Sequence, residues 1–73
     1  MEQMIEVFVR RVRSGRSLFC TNVTVNLTTG EIVIASWREG ARGGLEMESA
    51  GFTANEWAVI QQRIAVALAR TAA

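Results

Sequence analysis

The sequence predicts an α+β fold: a four-stranded antiparallel meander followed by one C-terminal amphipathic helix packed on one face of the sheet (ββββα). Two observations support this prediction. Short segments in which apolar and polar residues alternate, separated by glycine-containing turns, fill the earlier part of the chain. One segment with helical periodicity follows a capping motif near the end. Without repeats or linkers, residues 1–73 are expected to form a single domain.

The first two strands are predicted over residues 4–12 and 17–27, with a turn at Ser14–Arg16 between them. The second strand alternates cleanly. Its apolar side comprises Phe19, Val23, Val25 and Leu27, and its other side comprises Cys20, Asn22, Thr24 and Asn26. One face of this hairpin is therefore expected to enter the core, and the other to meet water or a ligand.

The length of the first turn decides which residues pair. A three-residue turn would place Val7 opposite Val23 and Ile5 opposite Val25, whereas a two-residue turn would place Val7 opposite an asparagine. A slip of one residue turns every side chain of a strand to the other face. The match of apolar residues therefore favours the three-residue turn, with Gly15 at a positive φ.

Two further strands are predicted before the helix. A turn at Thr28–Gly30 leads into a strand over Glu31–Trp37, which is apolar on both faces and is therefore expected to be central in the sheet. A glycine-rich connector, Arg38–Gly44, precedes a short fourth strand around Leu45–Glu48, and Ala50–Gly51 ends it.

A capping box marks the start of the helix. In Thr53–Glu56, the threonine hydroxyl and the carboxylate three residues later can satisfy free backbone amides, so we expect a helix from about residue 54 to about residue 71. One apolar stripe at helical spacing comprises Trp57, Ile60, Ile64 and Leu68. Val59 and Val66, flanked by alanines, form a second stripe.

The second stripe exceeds what is needed to cover one sheet, so it predicts a homodimer formed through the helix. A chain of 73 residues is also near the size at which a partner subunit often supplements a small core. The expected interface residues are Trp57, Val59, Ile60 and Val66. The alternative is that the small residues only widen a single apolar face.

The composition argues against enzymatic activity. The chain has no His, Asp, Lys or Tyr, and its one cysteine, Cys20, has no base to activate it. Zinc and calcium motifs are missing, so no catalytic residue, metal or cofactor is expected. A lone cysteine fits a buried or half-buried strand position in a reducing compartment. Without a signal peptide or a long apolar run, we expect a cytoplasmic protein that does not bind membranes.

Arginine and aromatic residues give the candidate binding site. The net charge is only +1, but the basic residues cluster around the first hairpin and after the third strand, and an aromatic residue stands near each group. Guanidinium groups suit phosphates, and an aromatic ring on an open sheet can stack on an unpaired base. The candidates are Phe8, Arg10, Arg11, Arg13, Arg16, Trp37, Arg38 and Arg42. The alternatives are a solvated hairpin tip, core aromatic residues and the arginine bias of a GC-rich genome.

The segment Gly51–Trp57 and the helix after it resemble the closing motif of the positive cofactor four family of transcriptional coactivators. The resemblance extends over Gly30–Leu68. It implies four antiparallel strands and a C-terminal helix, dimerisation through that helix, and binding of single-stranded DNA in channels of the sheet. By motif, only Trp37 corresponds to a base-stacking residue of the family. The turn at Thr28–Glu31 lacks the family's basic residues, and the acidic strand before Gly51 also departs from the pattern.

Two functional hypotheses follow. The first is a homodimer that binds single-stranded DNA or RNA, as an accessory protein in transcription or replication. The second is a small protein-binding module, such as a phage-encoded inhibitor of a host protein, which the mixed charge and the apolar helix face fit equally well. Salt-sensitive binding to an oligonucleotide separates them, because only the first depends on neutralised phosphates.

Overall fold

The computed structural model describes residues 3–40 and 45–72, except the side chains of residues 45, 71 and 72. The strands form one antiparallel sheet in the order β1-β2-β3-β4, and a helix follows it. The elements are β1 Met4–Ser14, β2 Ser17–Asn26, β3 Ile32–Glu39, β4 Leu45–Met47 and α1 Ala54–Ala72. The predicted ββββα fold is confirmed.

The first turn is one residue shorter than predicted. Ser14 pairs with Ser17 across a two-residue turn, and Gly15 at its first central position has φ of 61°. A glycine in this position is typical of the type II′ hairpin turn, whose twist matches that of the flanking strands. The expectation of a positive φ at Gly15 is confirmed, and that of a three-residue turn is wrong.

A β-bulge in β1 reconciles the short turn with the apolar pairing. Ile5 pairs with Val25 as predicted, but the register shifts between Glu6 and Phe8, so Phe8, and not Val7, is opposite Val23. A bulge adds one residue to one strand and re-aims the side chains beyond it. The prediction that Val7 pairs with Val23 is therefore wrong, although Val7 is still buried.

The bulge also reverses the face on which part of β1 was expected. Phe8 packs against the core, and Arg10 contacts residues at the start of the helix. Strict alternation along the predicted strand 4–12 would place Phe8 and Arg10 on the outer face of the sheet, beside Glu6, and this prediction is wrong. The alternation that places Glu6, Phe8 and Arg10 on one side is interrupted at the bulge.

The core lies between α1 and the first two strands. Its buried residues are Val7, Val23, Val25, Ile60, Ile64 and Ala67, and Phe8, Leu27, Phe52 and Leu68 pack around them. The capping box is formed as predicted, because the Thr53 amide donates to Glu56 Oε1 (2.9 Å) and the Glu56 amide donates to Thr53 Oγ1 (3.0 Å). The helix begins at Ala54 and ends at Ala72.

Strand β3 lies between β2 and β4 in the sheet order, but β4 covers only part of it. Pairing with β4 extends over Trp37–Glu39, whereas pairing with β2 extends over the whole strand. Ile32, Val33 and Ile34 are 45%, 39% and 44% exposed. The predicted central position is confirmed for the end of β3 near β4, and the earlier half of the strand is an exposed edge.

No helix in the described part of the chain is long and apolar enough to cross a membrane.

Candidate nucleic-acid interface

The face of the sheet opposite α1, here called the open face, carries the basic end of the first hairpin. Arg11 pairs across the sheet with Cys20, and Cys20 pairs with Trp37, so Arg11 and Trp37 point to the same side. The next row places Arg13 beside Leu18. Two strand spacings, about 10 Å, separate the backbones at the ends of the first row. An arginine and an indole thus stand on one surface with a buried cysteine between them.

Among the described arginines, those of the open face and its turn are unpaired. Arg11, Arg13 and Arg16 are exposed and form neither an ion pair nor a side-chain hydrogen bond. Arg70, on the helix, is also unpaired. The unpaired positive charge is therefore concentrated at the hairpin, where it is available to an anionic ligand.

Arg10 has a structural role instead. Its Nη1 donates to both carboxylate oxygens of Glu56 (2.8 Å each), and its Nη2 donates to the Gly51 carbonyl (2.8 Å). The guanidinium carbon lies 5.6 Å from the centre of the Phe52 ring. The backbone amide of Thr53, and next the Arg10 guanidinium, lower the pKa of the Glu56 carboxyl. Arg10 is thus neutralised and faces the helix.

Arg38 is neutralised as well. It pairs with Glu46 on β4, and its Nε lies 3.6 Å from a Glu48 oxygen. The two carboxylates therefore hold the arginine that was expected to bind phosphate. Arg42 lies outside the described residues. Of the eight predicted site residues, four remain together at the open face and its turn: Arg11, Arg13, Arg16 and Trp37.

Trp37 is half-buried on the open face, and its indole Nε1 donates to Glu39 Oε1 (3.3 Å). This hydrogen bond fixes one edge of the ring. A tryptophan that keeps a polar partner and part of its surface exposed is suited to contact a flat ligand. Its neighbour Glu39 also lines a shallow groove of about 400 Å³ with Arg13 and Arg16.

Polar side chains fill the middle of the open face. Asn22 and Thr24 are half-buried on β2, and the Asn22 amide donates to Glu6 (3.2 Å). The sequence placed them on this face but gave no reason to include them in a site. They could contribute to ligand binding only together with the unpaired arginines of the same face. The sequence does not show which arginines are unpaired, whereas the structure does.

The helix face predicted for dimerisation is only partly available. Ile60 is fully buried against the sheet of its own chain, so its assignment to a dimer interface is wrong. Trp57 is partly exposed and stacks on Phe52, with ring centres 6.0 Å apart. Val59 and Val66 are exposed and line a groove of about 730 Å³ between α1 and β1.

Comparison of the chain with protein-family models, curated proteins and solved structures finds no match. The resemblance to the positive cofactor four family therefore rests on the sequence motif, and the function is argued from the geometry of the open face.

Proposed function

We propose that the protein binds single-stranded nucleic acid on the open face of its sheet. Arg11, Arg13 and Arg16 would contact successive phosphates, and the exposed part of the Trp37 ring would stack on a base. The observation that carries the proposal is that some arginines are paired with carboxylates and others are not. Those facing the helix or β4 are neutralised by carboxylates, and those at the open face and its turn are not.

A single strand suits this surface better than a duplex. Stacking on Trp37 requires an unpaired base, because the faces of paired bases are already covered by their neighbours. The arginines and the tryptophan lie on opposite sides of β2, so a strand crossing the face would place its backbone at β1 and a base at β3. Cys20 on β2 lies between Arg11 and Trp37.

The salt dependence of binding follows from the number of unpaired guanidinium groups. Three phosphate contacts on a single strand predict a slope of log K against log salt of about −2. The small net charge of +1 adds little long-range attraction, so affinity should depend on the local cluster. We expect modest affinity that falls steeply with added salt.

The first test is fluorescence anisotropy of a labelled oligo-dT strand at several salt concentrations. Arg13→Gln should weaken binding and make the salt slope shallower by about 0.7, because one phosphate contact is lost. Arg70→Gln is the matched control, since it removes the same charge from an exposed, unpaired arginine on the helix. Equal loss of affinity in both variants would show that only net charge matters and would refute the site.

Stacking can be tested in a Trp57→Phe background, which leaves Trp37 as the only tryptophan. Oligo-dT should quench the Trp37 fluorescence, and Trp37→Leu should weaken binding by about 1–3 kcal/mol, the usual value of one base-to-aromatic stack. Binding that persists without quenching would remove Trp37 from the site while leaving the arginine contacts in place.

A folded protein that fails to bind oligo-dT even at low salt would overturn the proposal. The protein-binding hypothesis would then be preferred, and the groove between α1 and β1 would be the surface to test first. Substitutions there, at Val59 and Val66, leave the open face unchanged, so the two surfaces can be examined separately.

A further inference from the structure

The two edges of the sheet differ in how they are protected. Strand β1 forms one edge, and it carries a bulge at Val7, charged side chains at Arg11 and Arg13, and a hydrogen bond from Arg63 Nη1 to the Val7 carbonyl (3.0 Å). Bulges and charges are devices by which proteins prevent an edge strand from pairing with another chain.

The other edge has a stretch that lacks these devices. The segment Ile32–Ala35 carries no charge, proline or bulge, and β4 ends before reaching it. Side chains on both of its faces are apolar and exposed. A strand that is apolar on both faces normally has a neighbour on each side, and this one has a neighbour only on the β2 side.

The orientation of the backbone shows which groups are unpaired. The Ser36 carbonyl accepts a hydrogen bond from the Glu48 amide, so Ser36 points away from β2. Backbone groups alternate along a strand, and therefore Ile32 and Ile34 direct their N–H and C=O groups to the same uncovered side. Val33, between them, faces its backbone to β2.

We propose that this edge pairs with the same edge of a second copy, joining two sheets into one. In the antiparallel register centred on Val33, Ile32 is opposite Ile34 of the partner subunit, and the reverse pair is formed by symmetry. Both isoleucines point their backbone groups outward, so this register forms about four hydrogen bonds between the chains. Shifting the centre to Ile34 would set Ile32 against Ser36 of the partner subunit, whose carbonyl is already used.

A second copy of the chain is the expected partner of this edge, because the segment Ile32–Ala35 is complementary to itself. Apolar side chains of both copies meet on both faces of the joined sheet, and no like charges are directly opposite each other in the paired stretch. The two-fold axis of an antiparallel pair is perpendicular to the sheet, so both open faces lie on one side. The pairing does not use the arginines, and it is independent of the proposed function.

The paired stretch is short, so a weak and reversible dimer is expected, below the size of a standard stable interface. Analytical ultracentrifugation over a wide concentration range, without nucleic acid, should show a monomer–dimer equilibrium. Arg13→Gln should leave that equilibrium unchanged, which separates this inference from the nucleic-acid site. A protein that stays monomeric up to millimolar concentration would overturn the inference.

Val33 gives a sharp test because it would meet its own copy. Val33→Glu and Val33→Lys should each raise the dissociation constant at least about tenfold, since like charges would be directly opposite. An equimolar mixture of the two variants should dimerise again, because opposite charges then meet. The same pair of substitutions at Val12, exposed on the other edge, is the control and should have no effect. Failure of the mixture to restore the dimer would refute this register.

Cross-linking supplies a second test if the charged variants do not fold. Residues in a non-hydrogen-bonded antiparallel pair have Cα atoms about 4.5 Å apart, within the range that a disulfide spans. Val33→Cys should therefore form a covalent dimer under mild oxidation, and Val12→Cys should not. Equal cross-linking at both positions would refute an interface at this edge. The same conclusion would follow if Val59→Glu/Val66→Glu abolished the dimer while Val33→Glu remained dimeric.

Discussion

At the level of single residues, the Arg10 guanidinium joins three parts of the chain: strand β1, the segment before the helix and the first turn of α1. It does so through Glu56, the Gly51 carbonyl and the ring of Phe52. The same carboxylate completes the capping box with Thr53. Glu56 therefore links the local signal that starts the helix to the tertiary contact that positions it.

The Glu56 contacts predict a dependence of stability on pH. Because the pKa of the carboxyl is lowered in the folded state, its contribution is fully present above the ordinary value of 4.5. That contribution is lost as pH falls through the lower folded pKa. In thermal unfolding between pH 7 and pH 3, Glu56→Gln should be less stable than the wild type at pH 7, and the difference should shrink in acid. A difference that stays the same from pH 7 to pH 3 would contradict a role for the ionised Glu56 carboxylate.

Gly15 is a second residue with a testable backbone role. Its φ of 61° is left-handed, and no atom outside Gly15 and its two chain neighbours lies within 4 Å of the point that a β-carbon would occupy, so only backbone strain opposes a side chain there. Gly15→Ala should cost about 1 kcal/mol, and Gly15→Asn should cost less, because asparagine tolerates this region better. Denaturant unfolding would measure both. An alanine variant as stable as the wild type would mean that the turn changes its conformation.

At the level of elements, the helix was the most predictable part of the fold. Its start is encoded locally by Thr53 and Glu56, and its periodicity identifies Ile60 and Ile64 as core residues. The bulge in β1 was not predictable. The bulge allows Ile5 to pair with Val25 although the turn has only two residues. The sequence alone does not show whether a longer turn or a bulge accommodates the extra residue.

The helix stripe gives a prediction at this scale. Ile60 is fully buried, whereas Val59 beside it is 39% exposed. Ile60→Ala should lower the free energy of unfolding by about 3 kcal/mol, through lost burial and the cavity left behind. Val59→Ala should cost less than about 1 kcal/mol. Chemical denaturation would show both, and similar losses would mean that Val59 is buried in the protein in solution, for example in a subunit interface.

At the level of the whole molecule, the sequence indicated which residue types could form a binding face, but not which of the arginines are paired with carboxylates. The carboxylates that neutralise Arg10 and Arg38 lie 46 and 8 residues away in the chain, and the fold brings each pair into contact. Arg11 and Arg13 are adjacent to Arg10 in the chain, and they reach the open face only because of the register beyond the bulge. The cluster of arginines was visible in the sequence, but the difference between its paired and unpaired members was not.

The unequal pairing of the strands has a consequence for how the amide protons exchange with solvent. Strand β2 has a neighbour on both sides along nearly its whole length, and Val23 and Val25 are fully buried. Exchange of such amides requires the sheet to come apart, so they should exchange at the rate of global unfolding. The outward amides of Ile32 and Ile34 should exchange early in dilute solution, and protein concentration should slow them if the edges of two copies meet.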